Sequence, residues 1–166
     1  MKHTLVVTVL AVLVGCATPP PPKPPPGAPI EFTLPIWPSA QPHSFLDDRG
    51  HILVVDAWAS WCAPCKAELP QLNALANQWK AQGVRVYAVN IDTTDGTVTP
   101  FVTTYNIEIP ILLDPGAGLL TSILGLKNMP TTWVFDKDGN VVLASESNIG
   151  KVAEAVNTLL AQSAKP

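Results

Sequence analysis

Cys62 and Cys65, three positions apart in Trp61-Cys62-Ala63-Pro64-Cys65, are the residues here whose type and spacing most directly suit chemistry: reversible formation of a disulfide. Ahead of them, the apolar residues 52–58 read as a buried strand; behind them, residues 63–82 read as a helix. Cys62 then stands at a helix N-terminus, where unpaired N–H groups and the macrodipole favour a thiolate and lower its pKa. It is the expected nucleophile. Cys65, nearly one turn further on and less exposed, is the expected resolving sulfur, able to break a mixed disulfide formed on Cys62. Pro64 falls in the first helical turn, where its missing N–H costs nothing and its fixed φ suits the helix.

A cysteine pair can also be a permanent structural bridge or half of a zinc site. Zinc needs two more ligands, and those remaining are Cys16, near the N-terminus, and three histidines. His3 lies in a leader-like segment, while His43 and His51 are not spaced as a ligand pair and read as surface-loop residues. No metal is expected, and no cofactor beyond the redox-active Cys62 and Cys65.

The elements that must position the pair follow from the pattern of the whole chain. At 166 residues, 47% hydrophobic and 14% charged, it suits one globular domain with a real core. Ten Lys and Arg are scattered singly against thirteen Asp and Glu, which argues against nucleic acid as a partner. From residue 30 strands and helices alternate: strands over 30–34, 52–58, 84–91 and 109–113, helices over 63–82, 98–105 and 117–124. Residues 131–136 and 141–145 read as a hairpin closed by Lys137-Asp138-Gly139-Asn140. In the last element, 151–161, Val152, Ala155, Val156, Leu159 and Leu160 form an apolar helical stripe. Pro70 is expected to kink the first helix and mark a boundary within it.

Residues 1–15 have the form of an export signal, with Lys2 and His3 ahead of an apolar stretch too short to span a bilayer. Leu13-Val14-Gly15-Cys16 resembles the lipobox of bacterial lipoproteins. That resemblance implies acylation of Cys16 and attachment to a lipid membrane, and Ala17 resembles the signal for the outer one where two membranes are present. Residues 16–29 are then a proline-rich tether, expected in polyproline II at about 3.1 Å per residue. The folded domain is assigned to residues 30–166.

Residues 53–65, Leu-Val-Val-Asp-Ala-Trp-Ala-Ser-Trp-Cys-Ala-Pro-Cys, together with Met129-Pro130-Thr131-Thr132, resemble the thioredoxin-like proteins. Lys66-Ala67-Glu68-Leu69-Pro70, Val89-Asn90-Ile91-Asp92 and Ile109-Pro110-Ile111-Leu112-Leu113-Asp114 are similar to the TlpA/ResA-like branch of membrane-anchored thiol-disulfide oxidoreductases. The resemblance implies an α/β fold with a central mixed sheet flanked by helices and an insertion around residues 90–113. It implies a cis Met129-Pro130 bond beside the cysteines, with the Met129 backbone receiving an extended client segment. Asp56 matches the buried acid of thioredoxin, where this branch more often has Asn; desolvation would raise its pKa and let it take a proton from Cys65. Glu68 matches the acid of the branch's C-x-x-C-x-x-E-x-P pattern, a second candidate for proton transfer or pKa tuning. The activity implied is extracytoplasmic, periplasm-facing exchange of electrons with client proteins carrying disulfides or dithiols. Ala63-Pro64 between the cysteines resembles reducing members, which receive electrons from a membrane dithiol donor and serve cytochrome c or copper-site maturation or general disulfide reduction.

Two other classes compete. A thiol-dependent peroxidase of the related peroxiredoxins needs Pro-x-x-x-Thr-x-x-Cys, absent before Cys62. A non-catalytic copper-binding lipoprotein needs His or Met near the pair, and only Met129 is offered there.

Overall fold

The structure is a computed structural model that describes residues 30–164. The expected signal over 1–15, the tether over 16–29 and Cys16 lie outside the described residues. A short antiparallel hairpin comes first, β1 (Thr33–Pro35) with β2 (Pro42–Ser44), followed by a 3-10 turn at Phe45–Asp48. The main sheet is built on β3 (Leu53–Trp58), every residue of which is buried. Beside it β4 (Arg85–Asn90) runs parallel and β6 (Thr131–Phe135) antiparallel. Outside these lie β5 (Ile111–Leu113), parallel to β4, and β7 (Val141–Glu146), antiparallel to β6, giving the order β5-β4-β3-β6-β7.

Because successive strand residues point to opposite faces, a strand buried on both sides must be apolar at nearly every position. Val54 and Trp58 pack into a layer made by α1 (Ala63–Lys80), α2 (Val98–Tyr105) and α3 (Ile149–Ser163), with Leu69, Leu72, Trp79, Phe101, Val152 and Val156. Leu53, Val55 and Ala57 face the opposite core of Phe32, Leu34, Phe45, Leu120 and Trp133. Each fully buried Val or Leu contributes about 1.5–3 kcal/mol. Asp56, alternating with Val54 and Trp58, therefore faces the helical layer.

Several elements depart from the sequence-based expectation. The strand expected over 109–113 begins only at Ile111, because Asn73 of α1 captures the preceding backbone: its Oδ1 accepts from Glu108 N at 2.7 Å and Ile109 N at 3.1 Å. The short helix expected over 117–124 is a 3-10 turn (Pro115–Ala117) followed by a wide π turn (Leu120–Leu124). Gly116 at φ 75° breaks regular winding, and the Asp114 carboxylate takes the N–H groups of Leu119 and Leu120. β2 was not expected, since Pro42 and His43 carry no strand pattern; it forms by pairing with β1. Pro70 does not divide α1, which continues to Lys80: a proline removes one helical donor, and the carbonyl it deprives belongs to Lys66, an exposed residue.

His43 is not a surface-loop residue. It lies in β2, its Nε2 2.8 Å from Oδ2 of Asp48, while Oδ1 of the buried Asp48 accepts from Arg85 Nη1 (2.7 Å) and Tyr87 OH (3.1 Å). This cluster pins the hairpin to the N-terminal half of β4. At the same end of the sheet, Ile30 N donates to Gly139 O at 3.4 Å in the β6–β7 turn. The cysteines follow β3 at the other end. Among the described residues no helix is long and apolar enough to cross a membrane.

Candidate active site

β3 ends at Trp58, and the chain turns tightly before α1: Cys62 N donates to Ala59 O at 3.1 Å. Cys62 is the N-cap of α1, at φ −78° and ψ 103°, and its Sγ accepts from Cys65 N at 3.2 Å. Short side chains that accept from the orphan N–H groups of the first turn hold such a position; here sulfur fills that role. Cys62 and Cys65 form a disulfide with Cα atoms 5.4 Å apart. Cys62 keeps 4% exposure and Cys65 none, so the first sulfur is the one nearer solvent. Trp61 beside it is 66% exposed, whereas Trp58 is fully buried against Phe101.

Pro130 immediately precedes β6, whose Thr131 pairs with Ala57 at the C-terminal end of β3, so the Met129-Pro130 segment reaches the end of the sheet that carries the cysteines. The Met129-Pro130 bond is cis; Pro130 is buried, and Met129 is half-buried against both cores. Asn128 ties this segment to β7 through hydrogen bonds to the Glu146 carboxylate at 3.0 Å.

Two carboxyls lie inside the layer between β3 and α1. Asp56 is buried, and its Oδ1 accepts from Thr132 Oγ1 at 2.7 Å. Burial pushes its pKa up to about 8; the Thr132 hydrogen bond opposes that rise and the nearby Glu68 charge adds to it. Glu68, one turn beyond Cys65 on the buried face of α1, has its Oε1 without a hydrogen-bond partner, and desolvation raises its pKa too. Cys65, Glu68 and Asp56 thus share one layer.

Asp92 is a further residue at this end of the sheet. It is buried just beyond β4 and accepts from Ser60 N (3.0 Å), Ser60 Oγ (3.2 Å), Asn90 Nδ2 (2.9 Å) and Thr97 Oγ1 (2.7 Å). Burial alone would raise its pKa, but the donors from Asn90, Thr97 and Ser60 outweigh burial and lower it. A groove of about 400 Å³ lies here, lined by Ser60, Trp61, Ile91, Asp92, Thr94 and Thr97. The signal that could have found Asp92 is an acid closing a buried strand, with hydroxyl residues at 60 and 97 to serve it. Among the described residues no cluster of three or more His, Cys, Asp or Glu side chains forms a metal cage.

The model of the AhpC/TSA family matches residues 27–144, well over half of the chain. The chain belongs to the AhpC/TSA family. Its relatives include the thiol-disulfide oxidoreductase ResA of Bacillus anthracis, 35% identical over 96 residues, which are 58% of this chain and 55% of that one. ResA of Geobacillus thermodenitrificans is 33% identical over 99 residues, 60% of this chain and 56% of the relative. The chain thus spans about half the length of the curated relatives it matches. Among solved structures, a protein named as a thiol:disulfide interchange protein DsbE from Chlorobium tepidum aligns with a TM-score of 0.69 at 29% identity, covering 80% of this chain and 92% of that one. This AhpC/TSA member therefore has the thioredoxin-like fold, with a central mixed sheet flanked by helices.

Proposed function

We propose that this protein is a thiol-disulfide oxidoreductase that works outside the cytoplasm as a reductase, with Cys62 as nucleophile and Cys65 as resolving sulfur. The observation that carries the reading is the Cys62–Cys65 disulfide, with its nearly buried first sulfur capping the N-terminus of α1. In the reduced protein, the N–H groups and dipole that this cap exposes to sulfur stabilise a Cys62 thiolate.

The Cys62 thiolate attacks one sulfur of a client disulfide, forming a mixed disulfide and expelling a client thiolate, which takes a proton from water. Cys65 gives its proton to the Asp56 carboxylate and attacks Cys62 Sγ; the mixed disulfide breaks and the second client sulfur leaves as a thiolate, which also takes a proton from water. The client gains two electrons and two protons, and the protein is left with the Cys62–Cys65 disulfide. Asp56 then returns its proton to solvent, and Glu68, whose charge acts on Asp56, tunes that transfer. The client backbone lies against Met129 and Pro130. No other cofactor takes part; a membrane dithiol donor restores the thiols.

Residues 1–15 act as the export signal and 16–29 as a tether from acylated Cys16 to the domain over 30–166, placing the site on the periplasmic side of a membrane, the outer one where there are two. Clients carry disulfides, as in cytochrome c or copper-site maturation or general disulfide reduction.

The AhpC/TSA match makes a thiol peroxidase the reading to exclude, and Val55 and Ala59 stand where its pattern needs Pro and Thr ahead of Cys62. The deciding experiment is the reduction potential of the pair together with insulin reduction and peroxide turnover. A potential near about −270 mV with insulin reduction supports the reading; a pair that dithiothreitol cannot reduce, or fast peroxide turnover, defeats it.

A further inference from the structure

The turn that delivers Cys62 to the head of α1 is held from outside by one side chain. Within residues 59–62 the backbone closes on itself through Cys62 N and Ala59 O, and Ser60, at the outer corner, gives both its N–H and its hydroxyl to Asp92. Asp92 is itself fixed by Asn90 at the end of β4 and by Thr97 at the entry to α2. Four hydrogen bonds to one buried carboxylate leave it no freedom to swing away. Two trans peptide units separate Ser60 from Cys62, so their Cα atoms are at most about 7 Å apart.

We propose that Asp92 is a positioning residue that pins the Cys62 turn through Ser60 and sets a fixed negative charge against the Cys62 thiolate, holding the pair toward the reducing side. The hydrogen bonds that keep Asp92 ionised are the ones that keep it in place. A negative charge near sulfur destabilises the thiolate, and with it the dithiol form, so the disulfide becomes the weaker oxidant. The helix N-terminus acts in the opposite sense on the same sulfur, and the balance of the two sets the potential. The other carboxyls that face the pair are Asp56 from β3 and Glu68 from α1, inside the helical layer. The inference rests on Cys62 being the attacking sulfur.

Two variants of the full chain give opposite signs. Asp92→Asn keeps an oxygen for Ser60 N but removes the charge. The midpoint of Cys62 alkylation against pH should fall, and the equilibrium with a glutathione buffer should shift three- to tenfold toward the dithiol, the larger figure corresponding to ~30 mV. Ser60→Ala keeps the charge and removes one donor that disperses it, so the alkylation midpoint should rise and the equilibrium move toward the disulfide. A purely structural tie would loosen in both variants and shift them the same way; that result, or no shift in either, overturns the proposal. If Asp92→Asn fails to fold, a fall of the midpoint in Ser60→Ala does so alone. Peptide mapping of the labelled cysteine separates the two readings: labelling of Cys65 before Cys62 defeats the assignment of the nucleophile.

Discussion

Thr132 Oγ1 donates to Asp56 Oδ1 at 2.7 Å, and the two residues are direct partners across β6 and β3. The strand that starts after Pro130 therefore supplies the hydrogen bond that steadies the acid facing α1. One bond does not offset the loss of water around a fully buried carboxylate, and the acid stays protonated to about pH 8.

This sets a pH dependence of stability. Between the ordinary value of 3.8 and about 8, the unfolded chain has released the Asp56 proton while the folded one retains it. Raising the pH through that window removes stability, and above it the loss levels off. Asp56→Asn should thus stabilise the protein on the order of a few kcal/mol at pH 9 and hardly at all at pH 4. Urea unfolding at the two pH values checks this.

In the proposed cycle the same group governs resolution. Only its ionised form can accept the Cys65 proton, so decay of a preformed mixed disulfide on Cys62 should accelerate with pH up to about 8 and then flatten. Asp56→Asn should slow that decay about 100-fold and abolish the rise. Glu68→Gln, which removes a charge that raises the Asp56 pKa, should move the inflection to lower pH. Stopped-flow release of a chromophoric thiol measures all three.

Cys65→Ser should accumulate a covalent adduct with client proteins through Cys62, visible on non-reducing gels and released by dithiothreitol. Cys62→Ser should form no such adduct and reduce no insulin.

The Asp48 cluster predicts a loss of stability without a change in redox behaviour. Asp48→Ala leaves Arg85, Tyr87 and His43 without their shared acceptor, and should cost about 1.5–3 kcal/mol in urea unfolding. Since it lies at the end of the sheet away from the cysteines, the reduction potential should not move.

What could be read in advance was what depends on local pattern. β3 is an unbroken apolar run around one acid, α3 carries an apolar stripe at helical spacing, and Asp138-Gly139 closes the β6–β7 hairpin with Gly139 at φ 81°. What could not be read depends on distant partners. β2 exists because β1 pairs with it, Ile109 is drawn out of the sheet by Asn73, and His43 is held half-buried by the Asp48 carboxylate and the Tyr87 ring. Asp92 follows the same rule in part: Asn90 and Thr97 are near it in sequence, but what ties it to the cysteine turn is Ser60, thirty-two positions earlier.

Ile30 enters the fold beside Gly139, at the end of β3 remote from Cys62. β3 is six residues long, so a span of roughly 20 Å separates that entry from the reactive sulfur. The described fold therefore begins at the end of the sheet opposite its chemistry. A group attached at residue 30 would thus stand at the far end of the sheet from a partner that approaches Trp61 and Met129, and its bulk would not crowd the reactive sulfur.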